Sequence, residues 1–139
     1  MEVSERLAEA RTLVLEGVVT SGLGEGKSFT QLPWVRREFL AKLGFEPYPG
    51  TFNLRLVGPA WEEARSVLTR APGISITAEP GFCAAKCFHV VVAGRITGAV
   101  VLPEVADYPL EKFEVISAVP VRETLPASDG DRVAVSVLC

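Results

Sequence analysis

Two short stretches carry residue types that could handle phosphate. The first is residues 21–29, "SGLGEGKSF". Gly22, Gly24 and Gly26 alternate there, so the backbone can take up positive φ and bring its amides close to an anion. Lys27 adds a flexible cation suited to phosphate oxygens. The second is residues 47–54, "PYPGTFNL", in which Thr51 and Asn53 stand two apart at the start of a strand and so share a face. Both offer neutral oxygens. A magnesium ion takes few protein oxygens and fills its shell with water and substrate phosphate. Each stretch also has a plain structural reading. The first can be a glycine-rich turn between strands, and the second a turn that Thr51 caps while Asn53 bonds backbone.

Gly26, Lys27 and Ser28 match the end of the phosphate loop G-x-x-x-x-G-K-[ST], but Ser21 stands where its first glycine belongs. Such a loop runs straight into a helix, whereas here "FTQLP" is expected to intervene before a helix that Pro33 leads. No apolar strand ends in the aspartate that would hold magnesium in a P-loop enzyme. The dinucleotide fingerprint G-x-G-x-x-G is missed by one position, since the glycines run G-x-G-x-G. Cys83, Cys87 and His89, in "CAAKCFH", have even spacings and would share one face of a strand. A zinc site usually draws four ligands in two pairs, so small residues packed in a sheet are the favoured reading of this trio.

Positioning these residues falls to a series of short elements. "TLVLEGVVT" (12–20) reads as a strand that leads into the glycine loop. Val35, Phe39, Leu40 and Leu43 recur at helical spacing between Pro33 and the C-terminal cap Gly44, which predicts a helix over 33–43. "TFNLRLV" (51–57) alternates as a strand, Pro59 opens a second helix through residue 70, and "ISITAE" is a short strand. "CFHVVVAG" and "RITGAVVLP" form a hairpin around residues 93–95. "KFEVISAVP" is another strand, "VRETLP" is one turn at most, and "DGDRVAVSVL" is a tight turn with a final strand. Six or seven strands with irregularly placed helices argue for a small barrel with helices attached, not a doubly wound sheet.

The composition agrees. A chain of 139 residues, 48% hydrophobic and 22% charged, suits one globular domain spanning 1–139. A net charge of −3 argues against a broad basic face for nucleic acid. No apolar run is long enough to span a bilayer, and "MEVSERLAEA" lacks the apolar region of a signal peptide. A cytoplasmic monomer with no nucleic-acid or membrane partner is the expectation.

Taken together, "GVVTSGLGEGKSF", the proline-led helix, "LGFEPYPGTFNL", "GAVVLP", "FEVISAVPVRE" and "DGDRV" resemble the archaeal CTP-dependent riboflavin kinases, from about Leu15 to Val137. The resemblance implies a mainly β fold: a six-stranded cradle-loop barrel related to the RIFT barrels, with two or three attached helices. It implies transfer of the γ-phosphoryl of CTP to the 5′-hydroxyl of riboflavin, with magnesium as the metal. The family's nucleotide loop falls on Leu23, Gly24, Glu25, Gly26, Lys27 and Ser28, its second nucleotide segment on Val119, Pro120, Val121 and Arg122, and its metal ligands on Thr51 and Asn53. Its flavin-side acidic residue falls on Glu114, which would orient or deprotonate the ribityl hydroxyl. Another flavin contact, commonly threonine, falls on Ala106, where Asp107 or Tyr108 could replace the lost hydroxyl. Residues 1–12 would form a short helical extension. The alternative is a non-catalytic barrel that binds nucleotide or flavin.

Overall fold

A computed structural model describes residues 12–22 and 25–139. In chain order the elements are β1 (Thr12–Thr20), α1 (Glu25–Gln31), α2 (Pro33–Leu43), β2 (Phe52–Val57), α3 (Trp61–Arg70), β3 (Ile74–Ile76), β4 (Ala85–Val92), β5 (Ile96–Pro103), β6 (Lys112–Ile116), α4 (Val121–Thr124) and β7 (Arg132–Leu138). The sheet runs β3-β4-β5-β6-β2-β1-β7, and β7 pairs back onto β4. Six antiparallel strands therefore close a barrel, with β3 outside it on the edge of β4. Closure removes the free edges that an open sheet of this size would expose.

Strand alternation sets the interior. Phe52, Leu54 and Leu56 of β2, Phe113 and Val115 of β6, Val100 and Leu102 of β5, and Val133, Val135 and Val137 of β7 all point inward and are buried. A second core lies on the outer face of β4–β6. There Val35, Phe39 and Leu43 of α2 cover Ile76, Ala85, Cys87, Ala99, Val101 and Ile116. β5 is thus buried on both faces, which explains its continuous apolar run "AVVL" where other strands alternate. Pro33 stands at the start of α2, and Gly44 ends it with φ 87°, both where the sequence predicts them. Leu40, expected on the buried stripe, is exposed.

Several expectations need correction. Four helices are described where two or three are expected, because α1 forms within "EGKSFTQ" and α4 is a single turn within "VRETLP". The expected barrel of six strands is present, with β3 as an outside seventh. "KFEVISAVP" leaves the sheet after Ile116, where Ser117 turns its hydroxyl to donate to Thr97 O at 2.7 Å. Cys83 lies before β4 and is exposed, so it shares no strand face with the buried Cys87. Burial pushes the Cys87 thiol up to about 12, which keeps it protonated and apolar. The expected extension over 1–12 falls outside the described residues, apart from Thr12, which opens β1. No described helix is long and apolar enough to cross a membrane.

Phe39 is fully buried between α2 and the barrel wall. Phe39→Ala should cost about 3–5 kcal/mol, the usual range for a large aromatic removed from a core. Chemical denaturation followed by circular dichroism would show the corresponding drop in midpoint.

Candidate functional site

The glycine stretch and the "PYPGTFNL" turn pack directly against each other. A Cβ built on Gly22 would lie 2.6 Å from Asn53 Nδ2, and one on Gly26 would lie 2.7 Å from Thr51 Oγ1. Neither glycine has a positive φ. The expectation that these glycines supply left-handed backbone is therefore replaced by a steric one: they are glycine because Thr51 and Asn53 occupy the space of a side chain. Gly24 and Leu23 lie outside the described residues, as does the side chain of Glu25.

The glycine stretch also leads into a helix sooner than expected. Glu25–Gln31 is helical, so Gly26, Lys27 and Ser28 sit in the first turn of α1 and not in an irregular loop. The first turn of a helix leaves its N–H groups without intrahelical partners. "FTQLP" does not delay a helix; only Leu32 separates α1 from α2. Lys27 and Ser28 are exposed on α1.

Thr30, fully buried, holds α1 in place. Its hydroxyl donates to Lys27 O at 3.1 Å and accepts from the Gly50 amide at 2.9 Å. One residue later, Thr51 Oγ1 donates to Asn53 Oδ1 at 3.3 Å, and Asn53 Nδ2 bonds Thr51 O at 3.2 Å. Two adjacent neutral oxygens are the small donor set that a magnesium ion uses alongside water and phosphate. Among the described residues no cluster of three or more His, Cys, Asp or Glu could hold a metal. The fit to a hard ion that keeps most of its shell for other ligands therefore rests on Thr51 and Asn53.

Two cavities meet at Thr51. The more polar of the two, a cleft of about 270 Å³ with a mixed lining, is bounded by Ser21 and Gly22, by the 48–53 turn, and by Val119, Pro120, Val121 and Arg122. Three sequence segments far apart in the chain thus face one space. The other cavity, about 260 Å³, is mostly apolar: Phe29, Phe82, Val101 and Ile116 line it, with Gly26, Thr51 and Glu114 at its polar end. Trp34 packs behind it, with ring centroids 6.1 Å from Phe29 and 5.2 Å from Phe82.

Glu114 stands opposite Asn53 in the β2–β6 register, so both project from the same outer face. Tyr108 Oη donates to Glu114 Oε1 at 2.7 Å, and Lys112 Nζ lies 3.5 Å from the same oxygen. Burial first, and then the Glu114 charge, push the Tyr108 phenol above its usual range, so it remains a donor. Both contacts fall on Oε1, which leaves Oε2 for a ligand. Ala106 lines neither cavity; it faces a third space beside Arg65 and Lys86.

Asp129 reads in the sequence only as part of a turn, yet it ties two walls of the polar cleft together. Its carboxylate accepts from Ser21 Oγ at 2.7 Å and from Arg122 Nη2 at 2.5 Å. Thr30 and Asp129 are the supporting residues that sequence reasoning missed. Thr30 would have been visible had "EGKSFTQ" been read as helix, because a helical threonine reaches back to the carbonyl three residues earlier.

The CTP-dep_RFKase family model, described as a domain of unknown function, DUF120, matches residues 19–137. The chain belongs to the CTP-dependent riboflavin kinase family. Among similar proteins, the riboflavin kinase of Methanosarcina barkeri is 40% identical over 129 residues, covering 90% of this chain and 56% of that protein. The riboflavin kinase of Archaeoglobus fulgidus is 38% identical, covering 99% of this chain and 60% of that protein. The riboflavin kinase of Pyrobaculum islandicum is 42% identical, covering 88% and 59%. The chain therefore spans less than two thirds of the length of these family members.

The geometry makes two predictions. Gly26→Ala places a methyl against Thr51 Oγ1 and should cost about 1–3 kcal/mol of stability, the usual range for overpacking, read as a lower midpoint in chemical denaturation. The second concerns pH. The Ser21 hydroxyl first, and then Arg122, hold the Asp129 carboxyl below its ordinary range. A lowered folded pKa gives stability that is present above the unfolded value and lost as pH falls through the folded one. Wild type should therefore exceed Asp129→Asn in thermal midpoint by a constant margin from about pH 5 upward, an ordinary aspartate titrating at about 3.9, and the two should converge in stronger acid.

Proposed function

We propose that the protein transfers the γ-phosphoryl group of CTP to the 5′-hydroxyl of riboflavin, giving FMN and CDP. The observation that carries this reading is the meeting of a polar cleft and an apolar cavity at Thr51. Phosphoryl transfer needs donor and acceptor held in line more than it needs covalent chemistry from the protein. A nucleotide in the cleft and a tricyclic ring in the apolar cavity would bring their reacting groups together at Thr51, Asn53 and Glu114. Family membership supports the same assignment.

In this reading the first-turn amides of α1 at Gly26, Lys27 and Ser28 bind the donor phosphates, together with Leu23, Gly24 and Glu25, and Lys27 swings its ammonium onto them. Backbone groups of Val119, Pro120, Val121 and Arg122 read the cytosine edge, and Asp129 fixes the guanidinium of Arg122 at the cleft wall. Thr51 and Asn53 would hold magnesium through their side-chain oxygens, and the ion would supply charge neutralisation on the phosphates. Glu114, held through Oε1 by Tyr108 and Lys112, directs Oε2 at the ribityl hydroxyl, orients it and takes its proton. Phe29 and Phe82 offer apolar ring faces to the isoalloxazine. Ala106 offers no hydroxyl and stands apart from this cavity, so Tyr108 serves the flavin side indirectly, through Glu114. A monomer suffices, because one chain supplies both cavities, and a cytoplasmic setting suits substrates of this kind.

The test is direct. Protein, riboflavin and magnesium are incubated with CTP or with ATP, and FMN is measured. FMN should form with CTP and far less with ATP; calorimetric binding of CTP and riboflavin without FMN would instead establish a non-catalytic module. Thr51→Ala and Asn53→Ala should each lower turnover by at least about a hundredfold, the scale of losing a transition-state charge contact, with unfolding midpoints near wild type. Wild-type rates in either variant would remove the metal assignment.

A further inference from the structure

Arg65 of α3 has no counter-ion among the described residues. It is only 6% exposed. Its Nη1 donates to Thr69 Oγ1 at 2.9 Å, one helical turn on, and its Nε is buried with no hydrogen-bond partner. No carboxylate among the described residues lies within ion-pair distance of it. Desolvation works against its charge, and the approach of Tyr108 only partly offsets this. A buried guanidinium left in this condition is costly unless something supplies its missing contacts.

A second cation stands beside it. Lys86 of β4 donates to Thr69 O at 2.7 Å and Ala71 O at 2.6 Å, the carbonyls at the end of α3. Three ammonium protons minus these two bonds leave one donor uncommitted. Burial works against the charge on Lys86, the nearby Arg65 opposes it further, and Glu104 partly offsets this without forming an ion pair. Both line a cavity of about 420 Å³ under the 104–111 loop, with Thr69, Glu104, Ala106 and Tyr108. This space lies across Tyr108 from Glu114; it shares Pro103 as a common wall with the apolar cavity and no lining residue with the polar cleft.

We propose that Arg65 and Lys86 form an oxyanion site of the phosphate class beneath the 104–111 loop. The guanidinium offers a planar fork and the ammonium a point charge, a pairing that suits a tetrahedral oxyanion with several acceptor oxygens. The anion would meet Arg65 through Nη2, which makes no hydrogen bond among the described residues and is not sealed from the cavity, while the buried Nε lies behind it. Its source is either free phosphate or the phosphate of a small ester. The site rests on Arg65, Lys86 and the cavity they line, and stands whether or not the proposed kinase activity does.

The test uses the full chain saturated with CDP and magnesium, so that the polar cleft is filled. Inorganic phosphate and glycerol 3-phosphate are titrated separately against a sodium chloride control of equal ionic strength. The Arg65 Nε–Hε resonance and the Ala106 and Tyr108 amides are followed by NMR. A saturable shift at Arg65 is expected, with apparent affinity at the two amides falling at least tenfold in Arg65→Met and in Lys86→Met. Arg65→Met removes an unpaired buried charge and should fold even if Lys86→Met, which uncaps α3, does not. Tighter binding of inorganic phosphate assigns the free ion, and tighter binding of glycerol 3-phosphate assigns an ester; both support the site. An Arg65 signal that moves no further than in chloride, or amide shifts unchanged in the variants, would overturn it.

Discussion

The structure around the site depends on one close approach. Gly22 and Gly26 come so near to Asn53 and Thr51 that neither position has room for a methyl group. This contact fixes the start of α1 against the start of β2, and so decides where helix amides and side-chain oxygens can face the same ligand. Thr30 braces it from behind through Gly50, and Asp129 braces the opposite wall through Ser21 and Arg122. The first turn of α1 and the start of β2 are thus held together by packing and neutral hydrogen bonds.

The barrel makes this arrangement possible by offering two faces for different work. Its interior is filled by inward-pointing aliphatic and aromatic side chains. Its outer face at β4–β6 is covered by α2 over most of its length, but the cover stops short of the end near Thr51 and Glu114. The uncovered end is the apolar cavity. Its walls belong to the same layer as the second core, which explains how a small domain can hold a greasy pocket without a dedicated lid.

Much of the fold was legible in the sequence because most barrel strands alternate and the two longer helices carry clear end signals at Pro33, Gly44 and Pro59. Thr51, Asn53 and the glycine stretch were legible as a pair only through the family resemblance, and the contact between them has no local signature. α1 was missed for a physical reason. "EGKSFTQ" carries a glycine, two β-hydroxy residues and no apolar periodicity, so its helicity comes from the brace at Thr30 and from packing of Phe29 on Trp34 and Phe39, not from propensity. Asp129 hid inside a turn signal. Arg65 hid on a helix with an ordinary amphipathic pattern, where nothing local says that a charge will be buried.

The most direct measurement of the central claim is a crystal structure with CDP, magnesium and riboflavin bound. The pyrophosphate is expected against the first turn of α1, the metal on Thr51 Oγ1 and Asn53 Oδ1, and the isoalloxazine between Phe29 and Phe82 with the ribityl chain at Glu114. A nucleotide bound away from Gly26 and Thr51, or a flavin outside the Phe29–Phe82 cavity, would contradict the account.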